Sequence, residues 1–425
     1  MTEPPLPSPA SAHEPAPAVP SVLRNRNFSR LWVGTVTAAG GTAVGSIVLT
    51  WIIYSTTHSA LAVSLLGIVQ FLPTLSFGVV AGALIDRLDR RRLMLTCDLG
   101  RCVCFGVLAL YVLVVGVNLA VLLGGVFVVA TFSTVFRPAT NAALPRILPR
   151  AQLTDGNGLL QGGSTVAQFV GSPVGGVLVL AVGASVGLLV NALTFAVSAS
   201  MIFLMVIPGA PPAAAGAPRR SLWGEVRDGL RFVRTQRALL IITFTSMAAN
   251  FFLSIWGAFE VVYAGAHLHQ GATGFSILVA ATTAGFAVGA ILPGRLGFDR
   301  APGRWLLPTW GVGGLFVVAL AAASSLGVAV ALTVAGGALL SMGNTTWLSG
   351  VQRTIPDEYL GRYFATDEAG SFAMIPAGIA VGGLLVFEYG IVWAYVVAGV
   401  GALLVNLPLF LFPVVREWGR RPAAA

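Results

Sequence analysis

The sequence predicts an all-α polytopic membrane protein of about twelve transmembrane helices, arranged as two six-helix bundles. Three observations predict it. Of 425 residues, 56% are hydrophobic and 10% are charged, against roughly 25% charged in an ordinary soluble domain. Apolar runs recur twelve times along the chain, each near the roughly 20 residues that cross a bilayer. The basic residues, finally, fall at every second connection between those runs. A soluble chain of this composition would expose a large apolar surface to water, whereas lipid is a solvent that suits it.

Residues 1–22, MTEPPLPSPASAHEPAPAVPSV, are rich in Pro and Ala and hold no apolar run. They read as a disordered tail rather than a signal peptide, since the basic start, apolar centre and cleavage site are missing. The spans of the first half are read at 29–54, 60–84, 93–115, 119–141, 157–181 and 184–207. Those of the second half are read at 238–263, 273–297, 305–325, 328–350, 364–388 and 391–414. Links as short as Ser55–Ser59 and Val182–Gly183 force neighbouring spans to run antiparallel. Cys97, Cys102 and Cys104 lie together in the third span with no nearby His, so they read as small apolar side chains and not as a metal or redox site.

The net charge of +9 raises the question of a nucleic-acid partner. All 25 basic side chains are arginines, and their placement answers it. They precede the first span, or lie at or near the two–three, four–five, six–seven, eight–nine and ten–eleven connections (Arg101 two turns into the third span), or follow the twelfth span. The alternate connections carry none. The positive-inside rule explains such a distribution, places both termini in the cytoplasm and makes nucleic-acid binding unnecessary.

The expected organisation is a tail at 1–22, a six-helix bundle at 23–207, a cytoplasmic linker at 208–237, a second bundle at 238–415 and a tail at 416–425. Within the linker, Leu222, Val226, Leu230 and Val233 recur at helical spacing opposite Arg227, Arg231 and Arg234, as in a basic amphipathic helix on a membrane surface. An internal repeat supports the division. Asp86-Arg87 in GALIDRLDRRR and Asp299-Arg300 in GRLGFDRAPGR stand 213 residues apart, and Pro149 and Pro356 stand 207 apart. A duplicated six-helix unit is a transporter construction.

The loop GALIDRLDRRR resembles the major facilitator superfamily motif G-x-x-x-D-R-x-G-R-R. Gly82, Asp86, Arg87, Arg90 and Arg91 fit it, and Asp89 stands where a glycine is usual. The resemblance implies a conformational-switch loop, with Asp299 and Arg300 as its second-half counterpart. Asp86 would meet a helix N-terminus, and the arginines would pair across the two halves. The stretch FRPATNAALPRILPRAQLTDGNGL, from Phe136, is similar to one branch of the superfamily, that of macrolide efflux proteins and the enterobactin exporter, among the drug:proton antiporters. The likeness extends from Phe28 to Glu417. Gly171-Ser172-Pro173-Val174-Gly175-Gly176 approaches the exporter pattern G-P-x-x-G-G, and a related run spans Pro376 to Gly383. Tight helix packing explains both runs as well as an export role does.

Ionisable groups inside a bilayer are costly and usually functional. Glu260, in the outer half of the seventh span, is the proton-coupling candidate. It can take up a proton in one conformation and release it in another, contact a cationic cargo, or reach outer water. His267 and His269 are read as solvated in an outer loop and Glu388 as interfacial. Asp98 and Arg101 are read as an intrahelical pair facing the inner charged network. The superfamily resemblance implies that spans one, four, seven and ten line a central cavity. It makes Trp51, Arg137, Asn250, Trp256, Asn344 and Trp347 cavity candidates. Snorkelling at the inner interface is an equal alternative for Arg137, as is interface anchoring for the aromatics.

No Walker A sequence is possible without lysine, and no H-E-x-x-H or G-x-S-x-G element stands out. The chain is not read as an enzyme, and no cofactor or metal is expected. The reading is a multi-pass protein of the bacterial inner membrane, acting as a monomer. It would export a small amphipathic or lipophilic compound (a drug, antibiotic or siderophore) by alternating access, using the proton gradient. The alternatives are a metabolite importer on the same fold and a non-transporting membrane receptor.

Overall fold

The computed structural model describes residues 22–149, 152–206, 231, 234–355 and 357–420, and the account below concerns these. Most of the linker 208–237, including its amphipathic segment, lies outside them, as do the first 21 residues and Pro356. The side chains of 78–87 and 299 and most of those from 357 to 373 are likewise outside the description.

The chain forms α1 (Arg26–Thr57), α2 (Ala60–Arg87), α3 (Arg90–Val114), α4 (Leu119–Ile147), α5 (Leu153–Val182) and α6 (Ala184–Leu204). The second half forms α7 (Arg237–His267), α8 (Gly271–Leu296), α9 (Pro302–Ala321) and α10 (Leu326–Thr354). One unbroken helical run, Asp357–Leu411, is interrupted at Gly390, where φ is 83° and ψ 166°. It is therefore two antiparallel helices, α11 (357–389) and α12 (391–411), and the spans number twelve. A short α13, Pro413–Arg416, follows. Several helices outrun the apolar stretches that reveal them. For example, α4 continues to Ile147 and α11 begins at Asp357, because backbone hydrogen bonding continues past the lipid boundary where apolar composition does not.

Composition within a helix assigns its faces. Along α3, Val103, Val107, Leu110 and Val114 recur at helical spacing and are each at least 60% exposed. Phe105 and Leu108, on the other side of the helix, are buried. An apolar exposed stripe is stable only against lipid, so the same helix reports both its solvent and its core.

The halves repeat in detail. Asn118 caps α4 by accepting from the Val121 amide, and Ser325, 207 residues on, caps α10 through the Val328 amide. Gly183 turns α5 into α6 with φ 87° and ψ 166°, and Gly390, again 207 residues on, makes the matching turn. Only glycine adopts such a backbone without strain.

At the face carrying the termini, polar side chains complete the helix ends. Asn25 accepts from the amides of Asn27 and Phe28 at 3.0 and 3.1 Å, and donates to Ile147 O at 2.9 Å. Arg91 donates to the Ile202 and Phe203 carbonyls and Arg30 to Leu204 O. These carbonyls end α6, where the last four acceptors lack helical partners and cations are favoured. Arg91 thus ties α3 to α6 inside one half, where the family resemblance had implied pairing between halves. Asp89 accepts from the Arg92 amide at 2.8 Å and caps α3, which gives the departure from the usual loop glycine a structural sense. The side chains of Gly82, Asp86, Arg87 and Asp299 fall outside the description. Arg90 begins α3, and Arg300 is exposed in the turn Phe298–Arg300.

Two outcomes are expected. Gly183→Ala and Gly390→Ala each lower stability by about 1–2 kcal/mol, the cost of forcing a Cβ into a positive-φ backbone, read as thermal unfolding of the purified protein. Asp89→Ala costs about 1 kcal/mol and Asp89→Gly only a few tenths, read by the same melts.

Candidate functional site

Between the halves, α5 packs on α8 and α2 packs on α11. Both contacts close on small residues at the face away from the termini. A Cβ on Gly176 of α5 would overlap Ser276 Oγ of α8, and a Cβ on Gly383 of α11 would overlap Ser64 Oγ of α2. The pairs are related by the repeat, the glycines 207 residues apart and the serines 212. Each serine is buried and donates to the carbonyl four residues earlier, Ala60 O or Ala272 O, at 2.9 Å. Nearby, a Cβ on Gly67 would stand 3.1 Å from Ile379, and Tyr54 packs on Gly265. The exporter-like glycines divide their duties along the helix. Gly171 and Gly175 admit α1 closely, at the carbonyls of Gly40 and Val44, while Gly176 meets the other half.

On the terminus side of this closure lie three cavities. One, of about 450 Å³ in the first half, is bordered by Thr42, Ser46, Gln70, Thr74, Ser133 and Arg137 among others. A second, of about 560 Å³, belongs to the second half, where Asn250, Trp256, Asn344 and Trp347 border it together with Trp310 and Asp367. The third, of about 500 Å³, lies against both halves and is edged by Arg101, Arg137 and Gln168 of the first and by Val279 and Thr283 of the second. Five of the six cavity candidates are therefore wall residues. Trp51 stands apart, edge-on to Tyr54 with ring centroids 6.3 Å apart and within 3.8 Å of a Cβ on Gly271, in the closing layer.

Two of the three indole N–H groups bordering the second-half cavity are already engaged. Trp310 Nε1 donates to Asn344 Oδ1 at 3.0 Å, and Trp347 Nε1 to Tyr363 Oη at 3.3 Å. Tyr363, fully buried, also shares a hydrogen bond of 3.1 Å with Thr243. Asp367 lies one turn beyond Tyr363. It falls at the polar start of the eleventh span, in TDEAG, and is not among the expected cavity residues.

Glu260 is 5% exposed. The helix of α7 breaks at Phe259 (φ −108°, ψ 15°) and resumes as Glu260–Val262 before a π-turn, Tyr263–His267. Such irregular turns re-aim side chains and concentrate at working sites. Thr282 Oγ1, on α8 and on the wall of the second-half cavity, donates to Glu260 Oε1 at 2.9 Å. The carboxyl thus sits just behind that cavity and beneath the closing layer. His267 is part of this packing and not solvated as expected. Its ring stacks on Tyr263 with centroids 5.1 Å apart, and its Nε2 lies 3.0 Å from Ala323 O. His269 and Glu388 are exposed.

Asp98 and Arg101 pair along α3 and are buried. They face α4 and α6, not a charged inner network. Ser198 Oγ donates to Asp98 Oδ2 at 2.6 Å, and the Arg101 guanidinium lies 4.2 Å from the Phe136 ring centre and 4.5 Å from that of Phe195. Removing either charge would strand the other, at a cost on the order of 3–5 kcal/mol.

Among described residues no cluster of three or more His, Cys, Asp or Glu could hold a metal. The chain matches a family model described as transmembrane secretion effector over residues 18–422. It is 25% identical to the multidrug efflux pump Tap of Mycobacterium tuberculosis, over 95% of this chain and 98% of that one. It is 22% identical to macrolide efflux protein A of Streptococcus pyogenes, over 88% and 92%. Among solved structures, the nucleoside transporter NupG superposes with a TM-score of 0.71 at 11% identity, over 91% of this chain and 98% of that one. A repeated twelve-helix fold, cavities in each half and against both, and a family match along nearly the whole chain place this multi-pass membrane protein among the major facilitator transporters, in the transmembrane secretion effector family.

Proposed function

We propose that the protein exports a small organic compound (a drug, antibiotic or siderophore) across the bacterial inner membrane, coupled to proton entry through Glu260, with both termini in the cytoplasm. Arginine placement supports that orientation, and export is supported by relatives that are themselves efflux pumps. In this orientation the closed face is the outer one and the cavities belong to the cytoplasmic side. One observation carries the coupling. Glu260 is a buried carboxyl beneath the outer closure, and its partner Thr282 forms part of the cavity wall.

An ionised carboxylate is costly to bury. When the outer face opens, Glu260 meets external water and takes a proton, and the neutral group then permits closure over it. With the outer face closed, the proton leaves through the second-half cavity towards the cytoplasm. The cargo loads there as the carboxylate forms, and reopening outwards carries it across.

The test uses everted membrane vesicles holding an imposed pH gradient. Adding an antibiotic that bears both an amine and a carboxylate, such as a fluoroquinolone, should dissipate the gradient in vesicles carrying the wild-type protein, and Glu260→Gln should lower that proton–cargo exchange at least tenfold. Unchanged exchange in the variant would remove Glu260 as the coupling site.

A further inference from the structure

The first- and second-half cavities are two copies of one design. Ser133, Arg137 and Pro138 border the first, and the residues 207 further on, Leu340, Asn344 and Thr345, border the second. Gln70 and Thr74 border the first, and Thr282 and Phe286, 212 further on, border the second. The same positions therefore face a cavity in both halves, and their chemistry has diverged. Where the first half has the cation Arg137, the second has neutral Asn344. Where the second half adds Asp367, the position 207 residues earlier is Leu160.

Charge is consequently divided across the molecule. Among the described residues, the basic wall residues of these cavities, Arg101 and Arg137, belong to the first half, and the acidic one, Asp367, belongs to the second. Depth is shared as well. Arg137 stands ten residues before Ile147, the end of α4, and Asp367 ten after Asp357, the start of α11. At about 1.5 Å per residue each lies roughly 15 Å from the terminus face. The second-half cavity also holds three indoles. The N–H groups of Trp310 and Trp347 are committed to Asn344 and Tyr363, so these two offer the cavity ring surface and not donors.

From this arrangement we infer that the cargo is amphoteric, with an amine held in the second-half cavity by Asp367 and the indole rings, and a carboxylate or similar anionic group held in the first half by Arg137. The inference rests on the transport reading above and names the substrate class of the same site. An ammonium gains a charge-assisted hydrogen bond from a carboxylate and attraction from aromatic faces. A planar guanidinium suits a carboxylate. A cargo bearing one charge engages one wall only, whereas a cargo bearing both engages both, which is how such a site discriminates. A two-ended cargo also spans both halves, so its binding acts on their relative arrangement.

The full-length purified protein is titrated with four compounds of one scaffold, with binding read by intrinsic tryptophan fluorescence. They are diphenylalanine, its N-acetyl derivative, its amide, and the uncharged N-acetyl amide. Diphenylalanine should bind at least tenfold more tightly than each of the others. Asp367→Asn should abolish the advantage of the free amine and leave that of the free carboxylate, and Arg137→Gln should do the reverse. Asp367→Glu and Arg137→Lys should restore part of each preference, which separates recognition from misfolding. Binding of all four within threefold, binding of none, or preferences that ignore both substitutions would overturn the proposal. Binding is read without flux. An intact charge preference in a protein that moves no cargo would sink the export reading alone, and export without the preference would sink the amphoteric site alone.

Discussion

The arrangement of the whole molecule depends on how closely two helix pairs approach at one face of the membrane. Lipid tails are as apolar as leucine, so the hydrophobic effect does not drive the halves together within the bilayer, and close packing must do so. Gly176 against Ser276 and Gly383 against Ser64 supply that packing, with each serine hydroxyl bonded back to its own helix and no polar group stranded by the contact. A seam of this kind is tight when closed. It leaves no unpaired charge when open, as a seam that must part in every cycle requires. The cavities and the buried Glu260 take their accessibility from it.

Much of this fold is legible in the sequence because the constraints that set it are global. The bilayer sets span length, arginine placement sets topology, and duplication leaves matching offsets. The offset of 207 seen in Pro149 and Pro356 recurs structurally in the helix caps Asn118 and Ser325, the turns Gly183 and Gly390, and the packing glycines. What escapes the sequence is set by partners distant along the chain. Arg91 finds the carbonyls that end α6, and Arg101 lies between Phe136 and Phe195. His267 packs on Tyr263. None of these partners follows from the local spacing that reveals a helix.

The site was partly legible for the same reason. Asn250, Trp256, Asn344 and Trp347 stand out as polar or aromatic residues in spans that the family resemblance assigns to the cavity, and Arg137 stands out by its charge. Asp367 was hidden among the polar residues that open the eleventh span, and Trp51 resembles a wall residue until its packing beside Gly271 is seen. Duplication gives the two cavities one geometry, and divergence at equivalent positions gives them different chemistry. Symmetry therefore serves the movement of the halves, and asymmetry serves recognition.

The central claim is that the glycine–serine seam holds the face away from the termini closed. It is tested most directly by electron–electron distance measurements between spin labels introduced by His58→Cys and Glu388→Cys, one on each half at that face, with Cys97, Cys102 and Cys104 replaced by serine. The expected separation is short and becomes distinctly longer when Gly176→Leu and Gly383→Leu are added. An identical distance distribution with and without the two leucines would contradict it.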